Sequence, residues 1–192
     1  MKNKLLTVLS VFVLLVSVSV KTPAQSDKTI VMATAKKVVL ALNGKDMKTL
    51  SQYVHPTKGV RFSPYGYINK ESDLVFKKGQ VPRLILLRRT YLWGEHDGSG
   101  DKINLGFPDY YEAFIYDRNF ARAPQISFNK QIGNGNTLVN IREAYPNGKF
   151  VEYHFPKGAD GNEMGWRSLR LIFEKSGAIW YLVGISHDQW TI

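Results

Sequence analysis

The chain predicts an α+β fold, with helices packed on one face of a curved antiparallel sheet. Three observations carry that prediction: apolar residues at helical spacing near the start, a proline-led aromatic helix in the middle, and turn-separated alternating segments towards the end. Val31, Ala35, Val38, Val39 and Leu42 share one face of a first helix, which Asn43-Gly44 should close with a left-handed stop. Asp46 is placed to cap a second, shorter helix through Met47, Leu50, Tyr53 and Val54. That helix should end near His55, because Pro56 disfavours helical backbone before it. Residues 59 to 68 are β-branched, aromatic and small, which predicts a strand, and Pro64 confines it to an edge or a bulge. Residues 84 to 93 fit either a helix or a buried strand, since Leu84-Ile85-Leu86-Leu87 shows no period that separates the two. Pro108 opens a third helix through Tyr110, Tyr111, Phe114 and Ile115, with Asp109 and Glu112 in the first turn, where the helix dipole favours acids. Residues 138 to 145 and 150 to 155 then flank Pro146-Asn147-Gly148-Lys149, and residues 169 to 174 and 179 to 186 flank Lys175-Ser176-Gly177. Both read as hairpins. Helices first and a long meander after them define the class.

Residues 1 to 24 read as a secretory signal peptide. Lys2 and Lys4 precede an apolar and hydroxyl run from Leu5 to Val20, and Lys-Thr-Pro-Ala leads to Gln25. A retained anchor needs about 18 apolar residues, and this run is shorter and holds Thr7, Ser10, Ser17 and Ser19. With cleavage after Ala24, residues 25 to 192 form a single domain of periplasmic or secreted location, with no membrane span left. The chain has no cysteine, so the expectation is neither a lipoprotein nor a disulfide-bonded protein.

The whole chain carries 26 Lys and Arg against 16 Asp and Glu. The excess sits in the first half of the mature part, from Gln25 to Thr90, and an anionic envelope surface is one partner it would suit. A solvated surface is the plainer account of it. Lys36-Lys37, Lys77-Lys78 and Arg88-Arg89 are scattered over several elements, not strung along one, so no nucleic acid is expected.

The order of elements resembles the cone-shaped fold of the nuclear-transport-factor-2-like and cystatin-like superfamily over roughly Lys28 to Ile192. Locally, residues 55 to 65 (His-Pro-Thr-Lys-Gly-Val-Arg-Phe-Ser-Pro-Tyr), 93 to 100 (Trp-Gly-Glu-His-Asp-Gly-Ser-Gly) and 180 to 192 resemble segments of a family of exported bacterial proteins. That family brings no known activity. The superfamily implies either an isomerase-like or dehydratase-like enzyme or a module that only binds or dimerises, and fold alone does not choose.

Alternation along the last two strands places Leu169, Leu171 and Phe173 inside the cone and Arg170 and Glu174 outside. On the final strand the inward set is Tyr181, Val183, Ile185 and His187, with Asp188 pointing the other way. His187 is the first candidate pocket group, against the plain alternative of a strand-end histidine bonded to backbone. His55, Arg61, Tyr65 and Tyr67 are the second set. They would gather a polar or anionic ligand at the mouth of the cone, or else cap a helix and fill core. Trp190 should share an outer face with Trp180, where two copies would pair sheet to sheet as a homodimer. Residues 95 to 101 are the densest polar cluster. Asp97, Ser99 and Asp101 match the first ligands of a calcium loop, but Lys102 and Pro108 stand where it needs glycine and glutamate, so a solvated turn fits better. The four histidines lie far apart, and no metal and no cofactor is expected. No hydrolase or phosphate-loop motif occurs. The reading is an exported, non-catalytic module that binds a small ligand or a partner protein. The alternative is a proton-transfer enzyme with His187 or His55 as base and Tyr65 or Tyr67 as donor.

Overall fold

The computed structural model describes residues 25 to 191, so the signal-peptide reading lies outside the described residues. Helix α1 (Asp27–Asn43) begins at Ser26, whose hydroxyl accepts from the Thr29 amide, and buries Val31, Ala35, Val38, Val39 and Leu42 as its spacing predicts. It stops at Gly44, but the left-handed residue is Lys45, at φ 51°. Helix α2 (Met47–Tyr53) is capped by the Asp46 carboxylate, which accepts from the Thr49 amide at 2.9 Å.

The main sheet has six strands in the order β2-β1-β8-β7-β6-β5. These are β1 (Val60–Ser63), β2 (Leu74–Phe76), β5 (Gln125–Phe128), β6 (Lys149–Phe155), β7 (Arg167–Ser176) and β8 (Ile179–Gln189). Every pair is antiparallel except β1 with β8, so the α+β class is as predicted, with a single parallel seam. A separate hairpin joins β3 (Thr90–Glu95) to β4 (Lys102–Gly106) and leads into α3 (Phe107–Phe114), with Pro108 in its first turn.

Four further expectations fail for identifiable reasons. The strand predicted over residues 59 to 68 ends at Ser63. Pro64 has no amide to give to a ladder, and β1 is interior, not at an edge. The ambiguous segment 84 to 93 is neither one helix nor one strand. It divides into a 3₁₀ turn over Val81–Leu86 and then β3. The hairpin predicted from residues 138 to 145 is instead a loop and a helical turn, α4 (Ile141–Ala144), which buries Ile141 and Ala144 at helical spacing while Leu138 faces solvent. Lastly, a bulge between β7 and β8 changes the phase of β8. Phe173 pairs with Leu182 and Ile172 with Gly184, leaving Val183 as the extra residue. Trp180 and Leu182 therefore face the helices, Val183 turns outward, and Ile185 again joins the main core. Tyr181 and Val183 are thus not in the cone, and the predicted shared outer face of Trp180 and Trp190 does not exist. Trp180 packs inward, its Nε1 donating to Asp27, while Trp190 remains 42% exposed.

Between the helices and the sheet, the cone is full. Phe62 meets Phe76, Trp93, Phe107 and Tyr110 edge-on, and Trp93 stacks on Tyr110 at 3.7 Å. On the other face, residues 129 to 145 cross β6, β7 and β8 as a strap. It is held by a small second core of Ile68, Ile141, Ala144, Phe150, Ile172 and Val183. Beside that core lies a buried ionic layer. Arg170 donates to Asp188 at 2.7 Å, to Glu152 at 3.1 Å and to the Gly133 carbonyl at 2.9 Å. Gly133 has to be glycine, since a Cβ there would lie 2.3 Å from the Ser168 hydroxyl.

Candidate functional site

The structure divides the five predicted site residues among three places. His187 faces inward, as alternation predicts, and is fully buried. Its Nε2 meets Asp117 Oδ1 at 3.1 Å, the other oxygen of Asp117 accepts from Arg167 Nε at 2.8 Å, and Nδ1 has no partner. Burial pushes the Asp117 carboxyl up, but the His187 and Arg167 bonds outweigh it and hold the group ionised. The Phe114 ring stands perpendicular to the imidazole, with centroids 6.2 Å apart.

His55 lies at the far end of β8. Its backbone amide bonds the Leu182 carbonyl, about five residues or on the order of 16 Å along the strand from His187. Its Nδ1 accepts from the amides of Thr57 and Lys58 at 3.3 and 3.1 Å, and desolvation, helped by the Lys58 charge, lowers its pKa. His55 is therefore a neutral clasp on the turn after α2. Arg61 is next to a cavity of about 490 Å³ whose walls include Lys58, Lys70, Tyr145 and Glu174. Its Nη1 donates to the carbonyls of Asn69, Lys70 and Asp73, which fastens the following loop.

Tyr65 and Tyr67, released from the strand by Pro64, enter a different cavity of about 400 Å³ between loop 64–73 and the β3–β4 turn. Trp93, Glu95, His96 and Asp97 form its other side, and Asp73 lies at its end. The polar cluster of residues 95 to 101 is thus a hairpin turn that walls a cavity, with Gly98 and Gly100 in the left-handed region at φ 89° and 74°. The Tyr65 hydroxyl is 3.5 Å from His96 Nδ1. Asp97 Oδ2 accepts from the hydroxyls of Thr137 and Thr191 at 2.8 and 2.6 Å. These bonds tie the strap and the C-terminal segment to the turn and hold Asp97 below the ordinary carboxylate range.

Asp73 is the site residue that the sequence did not reveal. Glu71-Ser72-Asp73 reads as a solvated turn, yet burial raises the Asp73 carboxyl to about 6, against bonds from the Ser63 hydroxyl and the Asn69 amide and the nearby Arg61 charge. In the unfolded chain this group titrates near 3.9, so between about pH 4 and 6 the folded state holds a proton that the unfolded state has released. Stability contributed by Asp73 is full below that window and is lost as pH rises through it. Asp73→Asn should flatten the fall. Relative to wild type, the variant gains about 2 kcal/mol between pH 4 and pH 7, with partial solvent screening allowed for, in urea titrations at the two pH values. An unchanged difference would show that Asp73 is not the buried acid described.

No family model matches the chain, and no curated protein matches it. Solved structures do. The chain is similar to a calcium/calmodulin dependent protein kinase II association domain from Xanthomonas campestris, with a TM-score of 0.36 and 9% identity over 88% of this chain and 92% of that one. It is also similar to a DUF4783 family protein from Bacteroides ovatus, with a TM-score of 0.31 and 11% identity over 81% and 94% of the two chains. A third similar chain, Rd1NTF2_05, gives a TM-score of 0.34 and 14% identity over 84% and 99%. The α+β cone rests on the chain's own strand order and helix placement.

Proposed function

We propose that the protein is an exported, non-catalytic module that binds a small ligand, and that the ligand is taken beneath the β3–β4 turn and not inside the cone. The observation that carries this reading is the exchange of space between the two places. Phe62, Trp93, Phe107, Tyr110 and Phe114 fill the interior, whereas Tyr65, Tyr67, Asp73 and His96 converge on an open cavity of about 400 Å³. The reading of residues 1 to 24 as a secretory leader supports export, with the periplasm or the medium as the proposed location.

The proton-transfer reading retains one observation, the His187–Asp117 pair. A base also needs room for the proton donor within about 3 Å, and at His187 the neighbouring ring is Phe114. The strap bears on self-association as well, because it occupies the outer face of β6 to β8 on which two copies would pair.

Native mass spectrometry of the mature protein from its own secretory compartment tests the proposal. A small-molecule adduct is expected on the wild type and lost on Tyr67→Ala, whose side chain is 49% exposed. An adduct that survives this change, or a bare dimer, would overturn it.

A further inference from the structure

We propose that the protein docks on the surface of an anionic phospholipid bilayer through the segment that runs from β2 into β3, with Leu86 as the inserting residue. The proposal is independent of the ligand cavity and of what that cavity holds.

Charge is the first argument. Residues 74 to 94 carry Lys77, Lys78, Arg83, Arg88 and Arg89 and no Asp or Glu. Arg83, Arg88 and Arg89 are exposed, and none of them forms an ion pair among the described residues. Lys77 and Lys78 donate to the carbonyls of Thr57 and Gln52, neutral groups that leave their charges uncompensated. The helices packed against the segment add little of opposite sign. α2 holds no acid, and on α3 Glu112 is paired with Lys45, so Asp109, beside Gly106 and the Arg89 carbonyl, is the acid they bring up against the run.

The second argument is the shape of the 3₁₀ turn, whose side chains repeat every three residues. Val81 and Leu84 are fully buried, and Leu87, next in that stripe, packs against the same core, so this side fastens the turn to the body. Arg83 and Leu86 occupy the adjacent stripe and face solvent, Leu86 at 74% exposure. On β3, Thr90 and the half-exposed Leu92 share the outward face, while Tyr91 and Trp93 lean on Phe76. The turn thus buries one leucine and presents the next among unpaired arginines. A bilayer interface accepts both parts of that pattern, since headgroup phosphates take the cations and the acyl boundary takes the apolar side chain.

The third argument is preorganisation. The Arg89 guanidinium lies over the Tyr91 ring, 5.0 Å from its centroid, which restrains a fork suited to phosphate before any lipid arrives. A hydrated polyanion would use the same cations but gain nothing from Leu86. Single-stranded nucleic acid would need open rings to stack on, and the rings of this segment are packed against one another.

The test is co-sedimentation of the mature protein with vesicles of phosphatidylcholine alone and of phosphatidylcholine with about 30% phosphatidylglycerol. The anionic vesicles should bind at least about tenfold more tightly. Raising salt from about 0.1 M to 1 M, which shortens the screening length from about 10 Å to 3 Å, should remove most of that difference. Arg83→Gln, Arg88→Gln and Arg89→Gln combined should weaken binding about tenfold or more. Leu86→Ser should weaken it about three- to tenfold. Neither change should move the melting temperature, because all four side chains are exposed. Lys36→Gln with Lys37→Gln, an exposed basic pair on α1, should leave binding unchanged. Equal binding to both vesicles, binding to neither, binding that survives the triple arginine change, or an equal loss from the α1 pair would overturn the proposal. Binding indifferent to Leu86→Ser would overturn it as well, and would leave a surface for a soluble polyanion such as polyphosphate.

Discussion

Arg170→Ala is expected to cost about 4 kcal/mol or more, and many domains have only about 5–15 kcal/mol to lose. The guanidinium is fully buried and bridges two carboxylates on neighbouring strands, Glu152 on β6 and Asp188 on β8, while also bonding the strap at Gly133. Alanine would leave both acids in a dry layer with no counter-charge. Desolvation already raises the Asp188 carboxyl in the native protein despite Arg170, so without Arg170 it should take up a proton nearer neutrality. The variant should consequently gain stability as pH falls from 7 towards 5, because its folded state then holds protons that the unfolded chain does not. Urea titrations at the two pH values measure this. A second protein removes any ambiguity from outright unfolding. With Arg170→Met, Glu152→Gln and Asp188→Asn combined, no charge remains, and most of the loss should be recovered. If Arg170→Met alone lost less than about 1 kcal/mol, the layer would not be acting as a coupled ionic network.

Phe62→Ala should have the second largest effect, about 3–5 kcal/mol, from lost transfer energy and from the cavity left behind. Phe62 lies at the centre of the packed cone, and four rings from β2, β3 and α3 lean on it edge-first. For a domain of this size the loss corresponds to a fall in melting temperature of about 10 °C. Phe62→Leu keeps most of the volume and should cost under half as much. Near-ultraviolet circular dichroism gives a second readout, since the Trp93–Tyr110 stack loses its support. A Phe62→Ala protein with the wild-type melting temperature would mean that the cone is not packed as described.

The parts of the fold that could be read from the chain are those where one period dominates. Helices α1 and α3 and strands β6 and β7 are long enough for their apolar pattern to be visible, and β8 is visible as a strand though not in its phase. Strands β2 and β5 are too short for that. Gln125-Ile126-Ser127-Phe128 is half exposed at an edge, and nothing in four such residues separates a strand from a loop. The bulge at Val183 was illegible for the opposite reason. Trp180, Tyr181, Leu182 and Val183 are all apolar, so either phase would bury a good face, and the choice is made by the partner strand. The candidate site failed in the same way. Tyr65 and Tyr67 are legible by type, but their placement with Asp73 and the turn at 95 to 97 depends on Pro64 ending β1; Arg61 shares an alternation with them only as far as that proline, and His55 precedes the strand altogether. Burial of Asp73 is a property of what packs around loop 64–73, and a short acidic turn carries no mark of it.

The parallel seam between β1 and β8 joins residues about 120 positions apart. Arg61 pairs with Gly184, and the end of α2 is fastened to Leu182 on the same strand. Contacts of that span are slow to form, because a long loop must close before any stabilisation is gained. Until β8 has been synthesised, β1 has no neighbour but the three residues of β2, and α2 has no sheet beneath its end. Completion of the sheet is therefore a late event by construction. A chain of this design stays open for as long as β8 is withheld, so a variant cut before Ile179 should lose the seating of β1 and α2 together.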